Sequence, residues 1–153
     1  RGSFLPELQS QLDVEGVSEF VRLVGFLPDE RLRDLLHRAA CVVIPSLYEP
    51  FGIVALEALA AGVPLIAART GGLAELLDGT GAGMLFEPGN ADELASCIEL
   101  ATTDHDLADS MRRNGAELLS ARYSWEAIAK ATVGVYRGDD PSVTDDLLTP
   151  RAG

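Results

Sequence analysis

Between residues 21 and 86, four short apolar runs alternate with segments of helical pattern, and few folds accept that alternation. The runs cover residues 21–24, 41–44, 65–68 and 84–86. Each is short and largely apolar on both faces, as expected of a strand covered by helices on both sides. Parallel neighbours need a crossover long enough to hold a helix, so the order predicts an α/β domain built on a parallel sheet.

The connecting segments fit that expectation. Asp29 is placed to cap a helix in which Leu32, Leu35, Leu36 and Ala39 recur at helical spacing, with Arg31, Arg33 and Arg38 elsewhere. Residues 53–61 differ, being apolar all round except for Glu57 and stopped by Gly62 and Pro64. They predict a buried helix carrying one carboxylate. Farther on, Asn90 can cap a helix with Leu94, Cys97, Ile98 and Ala101 on one face. A second helix is expected over about residues 106–120. A third starts at Ser124, with Trp125, Ile128, Ala129, Thr132, Val133 and Tyr136 in register. A short helix is expected near residues 5–11. From Gly138 onward the acidic tail offers little to bury and is expected to be disordered. Residues 1–137 are thus read as one partial domain and 138–153 as a tail.

Charge narrows the partners. Twenty-four acidic residues against 12 basic ones give a formal charge of −12, which repels nucleic-acid backbones and anionic lipid surfaces. A small phosphorylated ligand is still compatible, because backbone N–H groups at a helix start hold phosphate without net positive surface. No apolar run approaches the ~18 residues of a membrane span, and no basic segment followed by an apolar run opens the chain, so a cytoplasmic location is expected. Cys41 and Cys97 stand in apolar surroundings without a C-x-x-C neighbour and are read as buried free thiols. His37 and His105 are read as structural or solvent-facing. No G-x-S-x-G, Walker A or G-x-G-x-x-G pattern occurs, and the acidic pairs at 139–140 and 145–146 lack the spacing of a calcium loop. No metal site and no cofactor are expected.

The chemistry gathers between Glu49 and Glu57. Glu49 precedes a Pro-Phe-Gly turn and lies just outside the helix, whereas Phe51, Gly52 and Ile53 lie where the first N–H groups have no intrahelical partner. Those donors and the positive helix end suit a diphosphate, and Gly52 allows close approach. Glu57, about one turn into the helix, can reach paired hydroxyls such as those of a ribose. The two carboxylates are at most ~12 Å apart along a path rising 1.5 Å per residue, about the length of a nucleoside diphosphate linked to a sugar. A solvated loop residue is the competing reading of Glu49, and an exposed helix face that of Glu57.

The run from Pro45 through Glu49-Pro-Phe-Gly52-Ile-Val-Ala-Leu-Glu57 to Gly62-Val-Pro64, followed by Gly71-Gly72-Leu-Ala-Glu75, resembles the signature of glycosyltransferase family 4, which includes bacterial α-glucan (glycogen) synthases. Val24-Gly-Phe-Leu-Pro28 upstream and Gly83-Met-Leu-Phe-Glu-Pro-Gly89 downstream support it, and the resemblance spans roughly residues 20–136. It implies a GT-B fold of two Rossmann-like domains, of which this chain holds part of the C-terminal, donor-binding one. It also implies transfer of a sugar from a nucleotide diphosphate sugar to a carbohydrate or other hydroxyl acceptor, with retention at the anomeric carbon and no metal. By that resemblance Glu49 is the residue at the catalytic centre, contacting the donor sugar's hydroxyls without acting as nucleophile. Phe51, Gly52 and Ile53 meet sugar or phosphate through their amides, Glu57 meets the ribose, and Phe26, Leu27 and Pro28 lie against the base. Gly71 and Gly72 are placed near the phosphates, with a tight strand-to-helix turn as the equally open structural reading.

The chain also departs from the family pattern. The strand ending in Gly-Arg and the helical Lys that would neutralise the pyrophosphate have no counterpart in these 153 residues, nor has the N-terminal acceptor-binding domain. By the same resemblance a second strand, ending in a glycine-rich turn, also has no counterpart here, and in a doubly wound 3-2-1-4-5-6 order the two absent strands would be central. The remaining sheet would then expose an apolar edge, so the chain is expected to rearrange, to self-associate or to sit beside its missing part, and to be inactive alone. Two other functions stay open: a non-catalytic nucleotide-sugar-binding or assembly module, and a GT-B nucleotide-sugar epimerase.

Overall fold

The computed structural model describes residues 5–137. The tail expected to be disordered from Gly138 onward lies outside the described residues. The chain divides into two compact units, Arg1–Leu35 and Leu36–Gly153.

The first unit opens with α1 (Leu5–Val14), which buries no residue. Gln9 and Ser18 side chains both donate to the Asp13 carboxylate, tying the end of α1 to the turn that follows. Helix α2 (Asp29–Arg38) starts here and runs across the boundary. Its capping position is Pro28, whose carbonyl accepts from the Leu32 N–H at 3.0 Å; Asp29 is the first helical residue rather than the cap. The strand expected over residues 21–24 is absent: these residues have no regular secondary structure. A strand exists through its ladder, and no described strand pairs with this run.

The sheet lies in the second unit. Strands β1 (Val42–Ile44), β2 (Leu65–Ala68) and β3 (Gly83–Phe86) run parallel in the order β1-β2-β3, within one residue of the three expected runs. Val43 stands opposite Ile66, and Ile66 opposite Met84. All four β2 residues have zero exposure, and their alternation divides the core in two. Leu65 and Ala67 join the cluster formed with α3 (Ile53–Ala60) and α4 (Gly71–Leu77), through residues such as Ala55, Leu59, Leu73 and Leu77. Ile66 and Ala68 join Phe86 of β3 together with Cys97 and Ala101 of α5 (Ala91–Thr103). A parallel sheet covered on both faces is the fold class expected from the sequence.

The caps explain where the later helices start. The Asn90 side chain accepts from the Glu93 N–H at 3.1 Å, as expected for α5. Asp104 accepts from the Leu107 N–H at 2.9 Å and starts α6 (His105–Leu118) one residue earlier than the sequence suggested. A five-residue π-helical turn (Leu119–Tyr123) follows, and then α7 (Trp125–Arg137). Both cysteines are free; Cys97 is buried, and Cys41 is only half-buried because it precedes the edge strand β1.

Helix α3 corrects one expectation. It was expected to be buried all round, yet Ile53, Val54, Glu57 and Ala60 share an exposed stripe while Ala55, Ala58 and Leu59 face the core. The helix lies on one side of a three-stranded sheet, so only one of its faces meets the strands. Glu57 is therefore solvated, and its charge carries no burial penalty.

Candidate functional site

Three loops follow the carboxyl ends of β1, β2 and β3, the usual position of a ligand site in a parallel α/β sheet. The first loop, from Pro45 to Gly52, ends in a compact turn. Gly52 adopts the left-handed conformation (φ 69°) and forms the N-cap of α3 without a side chain to offer. Glu49 supplies what Gly52 lacks. Its Oε1 accepts from the Gly52 N–H at 3.1 Å and from the Phe51 N–H at 3.3 Å, so a half-buried carboxylate sits on the positive end of α3. The Ile53 N–H, first in the helix, has no partner one turn back because the chain before it is not helical, and the Glu49 carbonyl accepts instead from the Gly72 N–H at 2.9 Å.

That last bond joins the second loop to the first. Gly71 and Gly72 open α4, and the backbone of the Glu49 turn packs directly on them. A Cβ on Gly71 would lie 2.5 Å from the Glu49 carbonyl oxygen; one on Gly72 would lie 2.8 Å from that of Pro50. Thr70 adds a second tie, its hydroxyl donating to the Ser46 carbonyl at 3.2 Å. The two glycines thus make the strand-to-helix turn and also seat the Glu49 turn.

Glu57 lies one turn along α3 from Ile53, exposed, on the same stripe as Ile53 and Val54. Glu49, Phe51, Gly52, Ile53, Glu57, Gly71 and Gly72 therefore gather on two adjoining loops and one helix. Phe26, Leu27 and Pro28 belong to the first unit, where Phe26 is almost fully exposed (93%) and Leu27 half-buried.

Other residues escaped the sequence reading. Arg69, at the end of β2, pairs with Asp78 and, at 3.4 Å, with Glu87 in the third loop. Its only sequence signal is its place before Thr-Gly-Gly. A shallow pocket beside the turn is lined by Pro50, Phe51, Leu56, Gly72, Glu75, Leu76 and Tyr123. Burial pushes the Tyr123 hydroxyl above its ordinary value, the Arg122 charge opposes that, and the Glu75 carboxylate adds to it. Tyr123 reaches the pocket from the π-helical turn, which no residue pattern announces. The cysteines are not nucleophiles of this site: burial raises both thiols, and Glu93 raises Cys97 further. His37 bonds through Nδ1 to the Ala61 carbonyl at 3.1 Å, at the far end of α3, a structural role. Among the described residues no three His, Cys, Asp or Glu side chains cluster as a metal site, and no helix is long and apolar enough to cross a membrane.

Comparison with known proteins fits this geometry. The family model described as "Glycosyl transferases group 1" matches residues 2–118. An uncharacterised glycosyltransferase of Methanocaldococcus jannaschii is 40% identical over 134 residues, 88% of this chain and 34% of that protein. The glycogen synthase of Mycobacterium tuberculosis is 40% identical over 115 residues, 75% of this chain and 28% of its own length. Among solved structures, Anabaena HepE in complex with UDP superposes with a TM-score of 0.78 at 29% identity, over 88% of this chain and 37% of that one. HepE has also been solved with UDP-glucose. The chain spans about a third of the length of each of these three proteins.

Proposed function

Since the chain belongs to the glycosyl transferases group 1 family, we propose that it is the donor-binding part of a retaining enzyme of glycosyltransferase family 4, which moves a sugar from a nucleotide diphosphate sugar to a hydroxyl acceptor. Its fold is part of one half of a GT-B enzyme, an α/β arrangement with a parallel sheet and flanking helices. The observation that carries the proposal is the seating of the Glu49 turn on Gly71 and Gly72 at the carboxyl end of the sheet, with Glu57 exposed on the helix that follows. A carboxylate, free helix-start donors and a second carboxylate about one turn along can contact, in sequence, a sugar, a diphosphate and a ribose. That HepE was solved with UDP and with UDP-glucose supports a nucleotide-sugar ligand.

Retention needs no protein nucleophile in this reading. The acceptor oxygen bonds to the anomeric carbon on the face where the phosphate departs, the acceptor's proton passes to that departing phosphate oxygen, and the protein's contribution is to orient the sugar and stabilise the leaving diphosphate. Glu49 orients the sugar through its hydroxyls. The Ile53 N–H and the positive end of α3 stabilise charge on the diphosphate, and Glu57 anchors the ribose. An α-glucan is the acceptor class suggested by the resemblance, and neither metal nor cofactor takes part. The cations assigned by resemblance to the pyrophosphate have no counterpart in these 153 residues, so binding rather than turnover is the property to measure on this chain.

Calorimetric titration with UDP-, ADP- and GDP-glucose tests this. One of the three is expected to bind saturably, and Glu57→Ala to weaken the nucleotide about tenfold or more, the worth of one charged hydrogen-bonded contact. If none of the three binds, or if Glu49→Ala and Glu57→Ala both bind as tightly as the parent chain, the assignment fails.

A further inference from the structure

Resting on the function proposed above, we infer that Tyr48 is a specificity-determining residue for the donor's sugar, an aromatic face laid against one side of the pyranose ring, and that Thr70 is the positioning residue that holds its loop. Thr70 stands at the N-cap of α4, where a threonine side chain ordinarily accepts from an amide of the helix's own first turn. It makes no such bond. Its hydroxyl donates instead to the Ser46 carbonyl at 3.2 Å, 24 residues upstream. The Gly72 amide, also at the start of α4, is likewise given to the loop after β1, at the Glu49 carbonyl 2.9 Å away. Residues 46 and 49 are thus both fastened by their carbonyls to one helix start, and only Leu47 and Tyr48 lie between them.

Those two residues are 76% and 82% exposed. A loop tip that had only to stay soluble would have no use for two large apolar side chains. Fastening the loop at both ends takes its entropy loss at folding rather than at binding, so what it carries is presented ready-made. A tyrosine adds a flat, amphipathic face with only two torsions to freeze. The occupant follows from position. In the proposed order of contacts Glu57 takes the ribose, the Ile53 N–H the diphosphate and Glu49 the sugar, so the residue before Glu49 borders the sugar and not the nucleotide. A pyranose has a face of C–H groups between its hydroxyls, which suits the electron-rich face of a tyrosine ring, whereas a phosphate is repelled by it.

Calorimetric titration of the 153-residue chain compares UDP-glucose with UDP, or the adenine or guanine pair if that nucleotide is the one that binds. Tyr48→Ala is expected to weaken UDP-glucose about fivefold while leaving UDP within about twofold, and Tyr48→Phe, which keeps the ring, to bind as the parent does. Because Tyr48 is exposed, its removal leaves the core intact, and a loss cannot come from unfolding. Thr70→Val, the same shape without the donor, is expected to give part of the loss for UDP-glucose alone, and Thr70→Ser to recover it. In the NMR spectrum the Tyr48 ring signals are expected to shift on adding UDP-glucose and not on adding UDP, a response that a merely structural loop would not give. No loss in Tyr48→Ala would overturn the inference and leave the exposed pair to a protein surface; an equal loss for UDP and UDP-glucose would overturn it by placing Tyr48 on the nucleotide. A loss in Tyr48→Phe as large as in Tyr48→Ala would replace the ring by the hydroxyl as the reading group, and parent-like binding by Thr70→Val would remove the positioning role. Failure of the parent chain to bind any of the sugar nucleotides would instead sink the donor-site reading itself.

Discussion

Val21-Arg-Leu-Val24 and Cys41-Val-Val-Ile44 look alike as sequence, each a short run of β-formers between helical segments, yet only the second contains a strand. In β1, Val42, Val43 and Ile44 face Leu65, Ile66 and Ala67 in a parallel ladder, and the Val42 N–H reaches the Pro64 carbonyl at 2.9 Å. Ile44 is consequently buried, while Val21 and Val24 are 41% and 48% exposed and make no ladder. β-structure is a relation between segments, unlike a helix, whose hydrogen bonds close within one run. An apolar run therefore states only what a segment can do; its neighbour decides whether it does so.

The sharpest way to break this comparison is to remove side-chain volume from each region. Ile66 has zero exposure in the central strand and belongs to the cluster with Phe86 and Cys97. Ile66→Ala should cost about 2–5 kcal/mol, because the rigid packing around it cannot collapse into the space. Val24→Ala should stay within about 0.5 kcal/mol, as for an exposed residue without special contacts. Urea denaturation followed by circular dichroism measures both. Equal losses would mean that residues 21–24 are packed as tightly as β2, and the contrast would disappear.

A smaller effect is expected where backbone meets backbone. A Cβ on Gly72 would stand 2.8 Å from the Pro50 carbonyl oxygen and 3.0 Å from the Phe51 carbonyl carbon, so Gly72→Ala must push the Glu49 turn away. Overpacking of this kind costs about 1–3 kcal/mol. Because the obstacle is backbone rather than a flexible side chain, the displacement should also appear in the Phe51 and Gly52 amide signals. Unchanged signals together with unchanged stability would show that the two loops are not seated on each other as described.

These contrasts explain what was legible beforehand. Leu65-Ile-Ala-Ala68 was readable as a buried strand because both its faces are apolar, and Asn90 as a cap because its side chain answers a purely local need, the Glu93 N–H three residues on. The Glu49–Glu57 segment was readable because its carboxylates flank a turn and a helix start within one short stretch. The exposed stripe of α3 was not readable: Ile53, Val54 and Ala60 are as apolar as Ala55 and Leu59, and only the number of strands beneath the helix separates the two faces. Nor was the second role of Gly71 and Gly72 as the seat of the Glu49 turn, since that contact joins segments more than 20 residues apart. Tyr123 was hidden for another reason, because a π-helical turn shifts its direction away from the 3.6-residue spacing on which the reading relied.

The smallest effect lies in the first unit, where α1 buries nothing and side-chain hydrogen bonds link Gln9, Asp13 and Ser18. Hydrogen bonds from Ser18, and secondarily from Gln9, hold the Asp13 carboxyl below its ordinary value of 3.8. A carboxylate favoured in the folded form stabilises that form above the unfolded value, and the contribution is lost as pH falls through the folded one. The tie between α1 and the following turn should therefore persist at neutral pH and loosen only in acid below about 3.8. An NMR titration of Asp13 should give a midpoint below that value, and Ser18→Ala should return it most of the way, Gln9→Ala less. Because the group is fully exposed, Asp13→Asn should leave the urea midpoint of the sheet-containing unit unmoved. A shift of that midpoint as large as the one from Gly72→Ala would mean that the sheet depends on α1, and the distinction between the chain's two regions would have to be abandoned.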